Sequence, residues 1–129
     1  MNQFSSEIKK FLVERGWDKL RPSDLAKSIS IEAAELLEIF QWTSMNIAET
    51  KRDTEKIEEI KKELADVFIY AIEMVVLLDL DIEEIISTKL ERVRKKYPAD
   101  LMRKNAKEES GSGTDPEYWK IKNSARQKP

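Results

Sequence analysis

The sequence predicts an all-α protein: a four-helix bundle-like, oligomeric fold followed by a basic C-terminal tail. Three observations carry this expectation. Charged residues are 37% of the 129 and hydrophobic residues 40%, with only 3 Gly and 4 Pro, a composition that suits long solvated helices rather than sheets and turns. Apolar residues recur at helical spacing in four separate stretches. One stretch, Val67 to Leu80, includes a run that is apolar on almost every side, as expected of a central helix or of one lying against a second subunit. The length suffices for one domain with a sizeable core.

The first helix is expected from about Ser5 to Glu14, with Phe4, Ile8, Phe11 and Leu12 on one face and Gly16 as its stop. Ser23 or Asp24 is expected to cap a second helix that runs to about Trp42, with Leu25, Ile29, Leu36, Leu37 and Phe40 apolar. Residues 43–54 read as a loop with at most a short helical turn. Asp53 or Thr54 would cap a long third helix reaching about Leu78. Asp79 or Asp81 would start a fourth, striped by Ile82, Ile85, Ile86, Leu90 and Val93 and ended by Tyr97-Pro98. Residues 1–103 form the expected domain. Residues 104–129 read as linker and tail, from KEESGSGTDP at 107–116 into a basic segment with Tyr118, Trp119 and Ile121.

Composition also excludes chemistry. The chain has no Cys and no His, so disulfides, thiolate or imidazole metal sites, and Ser-His-Asp catalysis are ruled out. Catalysis must rest on carboxylates, Lys, Arg, Tyr or a bound metal. With 23 Lys+Arg against 25 Asp+Glu the net charge is -2, which gives no global drive toward nucleic acid or an anionic membrane. Residues 1–10 lack the apolar core of a signal peptide, and 67–80 carries Glu73 and Asp79 and is too short to span a bilayer. A cytoplasmic protein with no membrane partner is the expectation.

The informative pattern is acidic. Glu32, Glu35 and Glu38 recur at intervals of three on the second helix, and Glu63 and Asp66 repeat that spacing on the third. An i,i+3 spacing puts carboxylates on one helix face. Two such pairs on antiparallel neighbours could converge, and converging carboxylates repel unless a cation sits between them. Hard oxygen donors favour Mg²⁺, Mn²⁺ or Ca²⁺. Glu32 lies beside Ala33 and Ala34, and Glu63 and Asp66 enter the most apolar stretch, whereas Glu55, Glu58 and Glu59 alternate with lysines like an ordinary charged face. Such spacings also occur on solvated helices. A non-enzymatic helical dimerisation module is therefore an alternative, with the apolar stripe as its purpose. A di-iron carboxylate bundle needs Glu-x-x-His pairs, which a chain without His lacks.

At these residues the sequence resembles the all-α nucleoside triphosphate pyrophosphohydrolases of the MazG-like superfamily, most of all their dCTP pyrophosphatase branch. The resemblance lies in FLVERGWDKLRPSDLAKSISIEAAELLEIFQW and in KKELADVFIYAIEMVVLLDLDIEEIISTKLERVRKKYP. It implies a helical dimer or dimer of dimers that hydrolyses the α–β phosphate bond of a nucleoside triphosphate with Mg²⁺, or Mn²⁺ in its place. By position it implies Glu32, Glu35, Glu63 and Asp66 as metal ligands, and Trp17, Trp42, Tyr70 and Lys89 as nucleotide contacts. On that reading the tryptophans stack on the base, Lys89 or Lys96 holds phosphate charge, and Glu35, Glu38 or Glu63 orients the attacking water. The family often has a His before the Pro of the first loop, where this chain reads Lys19-Leu20-Arg21-Pro22. Val93 stands where an Asn is common, and Ile31 where a longer acidic motif begins. The first two departures bear on base and sugar contacts and leave the four metal acids untouched. The expected substrate is dCTP or a modified analogue, with broad nucleotide hydrolysis as the alternative.

Overall fold

The structure is a computed structural model that describes residues 2–105 and 116–126. The described residues are helical, with no strand among them, as the composition predicts. Seven helices follow in order: α1 Gln3–Glu14, α2 Pro22–Glu38, α3 Ile47–Arg52, α4 Thr54–Leu77, α5 Ile82–Lys96, α6 Ala99–Asn105 and α7 Pro116–Arg126. The chain forms two compact units, Met1–Ile82 and Glu83–Pro129.

In the first unit α4 is the central element. It packs most extensively on α2 and also on α1 and α3. The Lys56 ammonium at the start of α4 donates to the Ile39 carbonyl just past the end of α2, at 3.0 Å. Further along, Glu63 and Asp66 meet Glu32. Residue numbers rise on one helix as they fall on the other, so α2 and α4 are antiparallel. Among the described residues of this unit, Leu12 of α1, Leu25 of α2 and Val76 of α4 are the buried apolar ones.

The helix ends explain the connections. Gly16, at φ 67, closes α1 in the left-handed conformation, with Gly16 N–H donating to Val13 and Trp17 N–H to Leu12. This paired closure satisfies orphan carbonyls and turns Trp17 back over Phe11, ring edge to face, 5.8 Å between centroids. Pro22 begins α2, so the expected Ser23 or Asp24 cap is absent and Arg21 takes the N-cap position without a side-chain bond. Proline fits there because that N–H has no helical partner. Asp24 instead pairs with Arg21 at 3.3 Å.

α2 ends at Glu38, four residues before the expected Trp42, and a turn follows. The anticipated helical turn in 43–54 is α3, held by a reciprocal capping box between Asn46 and Glu49. Asp53 caps α4 through the Lys56 N–H. Of the two residues expected to open the fourth helix, Asp81 directly precedes α5 and Asp79 closes α4. It sits at φ 52 and the Leu80 N–H returns to the Val75 carbonyl at 2.9 Å. Asp tolerates this backbone better than most residues because its short side chain can bond locally.

In the second unit, Tyr97 stacks on Tyr118 of α7 with centroids 5.3 Å apart. Within the segment expected as linker and tail, Pro116–Arg126 form a helix, and α6 has no counterpart in the expected elements. The linker expected at 107–116 lies almost wholly outside the described residues.

Leu12 is fully buried at the α1 contact with α4. Leu12→Ala is expected to lower unfolding free energy by about 3 kcal/mol, read as a reduced urea midpoint. An unchanged midpoint would mean that α1 does not close this core.

Candidate functional site

The site begins with the register of α4. Glu63, Asp66, Tyr70 and Glu73 follow one another at intervals of three, four and three, the spacing that keeps side chains on one helix face. Antiparallel packing sets that face against Glu32 of α2. Carboxylate oxygens of Glu32, Glu63 and Asp66 lie within 4.8 Å of one another, and all three residues are half-buried. Glu35, one turn on from Glu32, stands close enough to Glu32 and Glu63 to raise both carboxyls.

The crowding alters the acids. The Glu32 carboxyl is pushed up to about 7, first by its hydrogen bond with Glu35, then by burial, then by the charges of Glu35, Asp66 and Glu63. Glu63 is also raised, first by burial, then by the Glu35 hydrogen bond and the charges of Glu35 and Asp66, with Lys62 opposing. Glu32 Oε2 and Glu63 Oε2 are buried and have no hydrogen-bond partner. Buried acceptors are normally satisfied. Clustered oxygen donors with two unpartnered atoms fit a hard divalent cation.

Beside the acids lies a cavity of about 330 Å³ lined by Phe11, Trp17, Leu20, Asp24, Leu25, Ser28, Asp66, Ile69, Tyr70 and Glu73. Asp66 belongs to both features. The aromatic wall exists because the Gly16 turn brings Trp17 onto Phe11. Tyr70 has its hydroxyl raised, first by burial, then by the charges of Glu32, Glu73 and Asp66.

The structure thus assembles Glu32, Glu35, Glu63 and Asp66 in one cluster, with Trp17 and Tyr70 at the adjoining cavity. Glu38 is exposed at the end of α2 and outside the three-carboxylate set. Trp42, 88% exposed, lies in the turn after α2 and does not line the cavity. Lys89 and Lys96 are exposed on α5, in the second unit. Lys96 sits 5.3 Å from the Tyr97 ring centroid.

Sequence reasoning missed Glu73. It is 4% exposed, with Oε2 unpartnered and its carboxyl raised by burial. A signal existed: Glu73 falls seven residues after Asp66, in phase with the acidic pair, inside an apolar run.

Residues 27–111 match the model of the MazG-like family. dCTP pyrophosphatase 1 from Mus musculus is 29% identical over 106 residues, covering 74% of this chain and 58% of that protein. dCTP pyrophosphatase 1 from Rattus norvegicus is 31% identical over 100 residues, with the same coverage. The chain therefore spans somewhat over half the length of these curated relatives. The crystal structure of a pyrophosphatase from Archaeoglobus fulgidus DSM 4304 is 39% identical, covers 72% of this chain and 87% of its own, and superposes with a TM-score of 0.64.

The raised Glu32 carboxyl has a consequence for stability. The folded state holds this proton more tightly than the unfolded chain, where the group titrates near 4.5. Its contribution is therefore full below about pH 4.5 and lost as pH rises through about 7. In EDTA, wild-type melting temperature should fall more steeply from pH 4.5 to 7 than that of Glu32→Gln. Equal slopes would contradict the carboxylate crowding.

Proposed function

We propose that this chain, which belongs to the MazG-like family, is a divalent-metal-dependent nucleotide pyrophosphohydrolase that cleaves the α–β bond of a nucleoside triphosphate. The observation that carries this reading is the convergence of Glu32, Glu63 and Asp66 within 4.8 Å, beside a cavity whose wall includes Asp66 and Trp17. The first-choice substrate is dCTP or a modified analogue, in a cytoplasmic nucleotide-cleansing role. This choice draws on the relatives named dCTP pyrophosphatase 1. Hydrolysis of a broad range of triphosphates is the alternative.

In this reading Glu32, Glu63 and Asp66 hold Mg²⁺, or Mn²⁺ in its place, with Glu35 completing the oxygen donors. When bound, the ion supplies charge neutralisation for phosphate oxygens and a lowered pKa for water. Glu35 is the best placed carboxylate to orient a water, since it stands close enough to Glu32 and Glu63 to raise both. It is also exposed, so solvent reaches it. It accepts the proton that water loses as its oxygen bonds to phosphorus. The bridging P–O bond breaks, and monophosphate and pyrophosphate result. Trp17 offers a ring face to the base, because stacking suits any base. Tyr70, between Asp66 and Glu73 on the same face, contacts the sugar or phosphate end.

A homo-oligomer, dimer or dimer of dimers, belongs to the same proposal. Ile31 and Leu37 of α2 and Phe68 of α4 are 57%, 67% and 59% exposed, apolar surface that a second copy would cover.

The test is pyrophosphate release from dCTP and the other common triphosphates with Mg²⁺. Release is expected, with EDTA abolishing it. Glu35→Gln, Glu63→Gln and Asp66→Asn should each lower kcat/KM by about 100-fold or more. Full activity in a folded Asp66→Asn variant would sink the proposal, and orthophosphate as the sole product would place the cut at another bond.

A further inference from the structure

We propose that Glu73 is a specificity-determining residue of the cavity, its carboxyl accepting a hydrogen bond from the exocyclic amino group of a nucleobase seated against Trp17. The inference rests on reading the cavity as the place of the nucleotide. It adds to that reading a residue and a rule of base selection.

The argument starts from burial. Glu73 is 4% exposed in a chain where most acids face solvent, and it lines the cavity together with Phe11, Trp17 and Tyr70. Carboxylates are almost never buried without a partner. Oε2 nevertheless has no donor within reach, and no cation lines the cavity. A core role would call for an apolar residue at this position. The remaining role for an unsatisfied acceptor on a cavity wall is to meet a donor carried by a ligand.

Placement says which part of the ligand. Asp66 and Glu73 are seven residues apart on one face of α4, about 10 Å along the helix axis. Asp66 stands at the acid cluster, where phosphates would sit. Glu73 therefore stands at the far end of the cavity, where the rim of the base falls in an extended nucleotide. Phe11, Trp17 and Tyr70 line the same cavity, and aromatic lining suits a ring.

Chemistry says which base. A carboxyl oxygen offers an acceptor, and Glu or Asp accepting from the amino group of cytosine is a recurrent pairing. A keto oxygen facing the ionised carboxylate at the same rim position would set acceptor against acceptor. A site built around one hydrogen bond rejects the analogue that lacks it, because the buried group is then left unpaired. An amino-bearing base is thus favoured over its keto counterpart. The pairing needs none of the polar groups commonly found in the family at the first loop and at position 93.

The test uses the full chain with Mg²⁺ and two unreactive probes, dCMP and dUMP, titrated by calorimetry. Wild type should bind dCMP at least about tenfold more tightly than dUMP. In Glu73→Gln, whose amide can turn either its oxygen or its nitrogen to the base, the ratio should collapse to about twofold or less. Glu73→Leu should lose the preference while melting at a higher temperature than wild type, since a buried unpaired acceptor is removed. A preference for dCMP that survives in both variants overturns the inference, as does wild type that binds neither probe or binds both alike. Pyrophosphate release from dCTP on the same samples separates the two readings. Release with an unchanged binding ratio removes the role of Glu73 and leaves the hydrolase. A Glu73-dependent ratio without release removes the hydrolase and leaves Glu73.

Discussion

The repulsion among Glu32, Glu63 and Asp66 is the constraint on which the first unit turns. Three carboxylates within 4.8 Å oppose their own approach, and the fold holds them together by burying apolar surface elsewhere on the same helices. Leu25 lies on α2 and Val76 on α4, while Leu12 anchors α1 beside them. The conflict shows in Glu32, whose carboxyl the neighbouring Glu35, burial and the other acids together raise. A divalent cation would relieve it, since it meets several oxygens at once. The raised acids and the unpartnered oxygens are two expressions of one arrangement.

One face of α4 then organises the surroundings. Glu63 and Asp66 mark its acidic end, Tyr70 its middle and the buried Glu73 its far end. The opposite wall comes from α2 and from the α1–α2 connection. That connection has a defined path because Gly16 alone accepts its left-handed turn without strain. The turn fixes Trp17, and Trp17 gives the cavity its aromatic side. A local backbone requirement in α1 therefore shapes a cavity built on α4.

Much of this was legible in the sequence. The acidic spacing identified the cluster because an i,i+3 pair is a local geometric fact, and Gly16 identified the end of α1 for the same reason. The end of α2 was not legible. Ile39 and Phe40 continue the apolar pattern, yet the chain leaves the helix, and the Ile39 carbonyl is taken by Lys56 from α4. That contact is tertiary and has no trace in a periodicity. Trp42 consequently falls in a turn away from the cavity. Of the two residues expected to open the fourth helix, Asp81 directly precedes α5, whereas Asp79 sits in a left-handed turn; Asp serves both roles, and only the Leu80 return bond distinguishes them. Glu73 was passed over for a subtler reason. A lone acid in an apolar run reads as an interruption, and its phase with Asp66 gains meaning only once α1 and α2 cover that face.

The acids and the cavity together impose an asymmetry on any nucleotide bound there. At the Asp66 end the protein offers surplus negative charge, which repels phosphate unless a cation intervenes. At the Glu73 end it offers an acceptor in an apolar, aromatic setting, which disfavours charge and favours an N–H donor. A triphosphate entering backwards would place phosphate oxygens against the Glu73 carboxyl, where no cationic residue lines the wall. The base would then lie against the acid cluster. Both ends reject that orientation by the same electrostatic rule, that buried like charges and facing acceptors destabilise each other. Correct docking is thus set by where the fold leaves carboxylates unsatisfied, since the cavity itself supplies no positive charge to attract a phosphate.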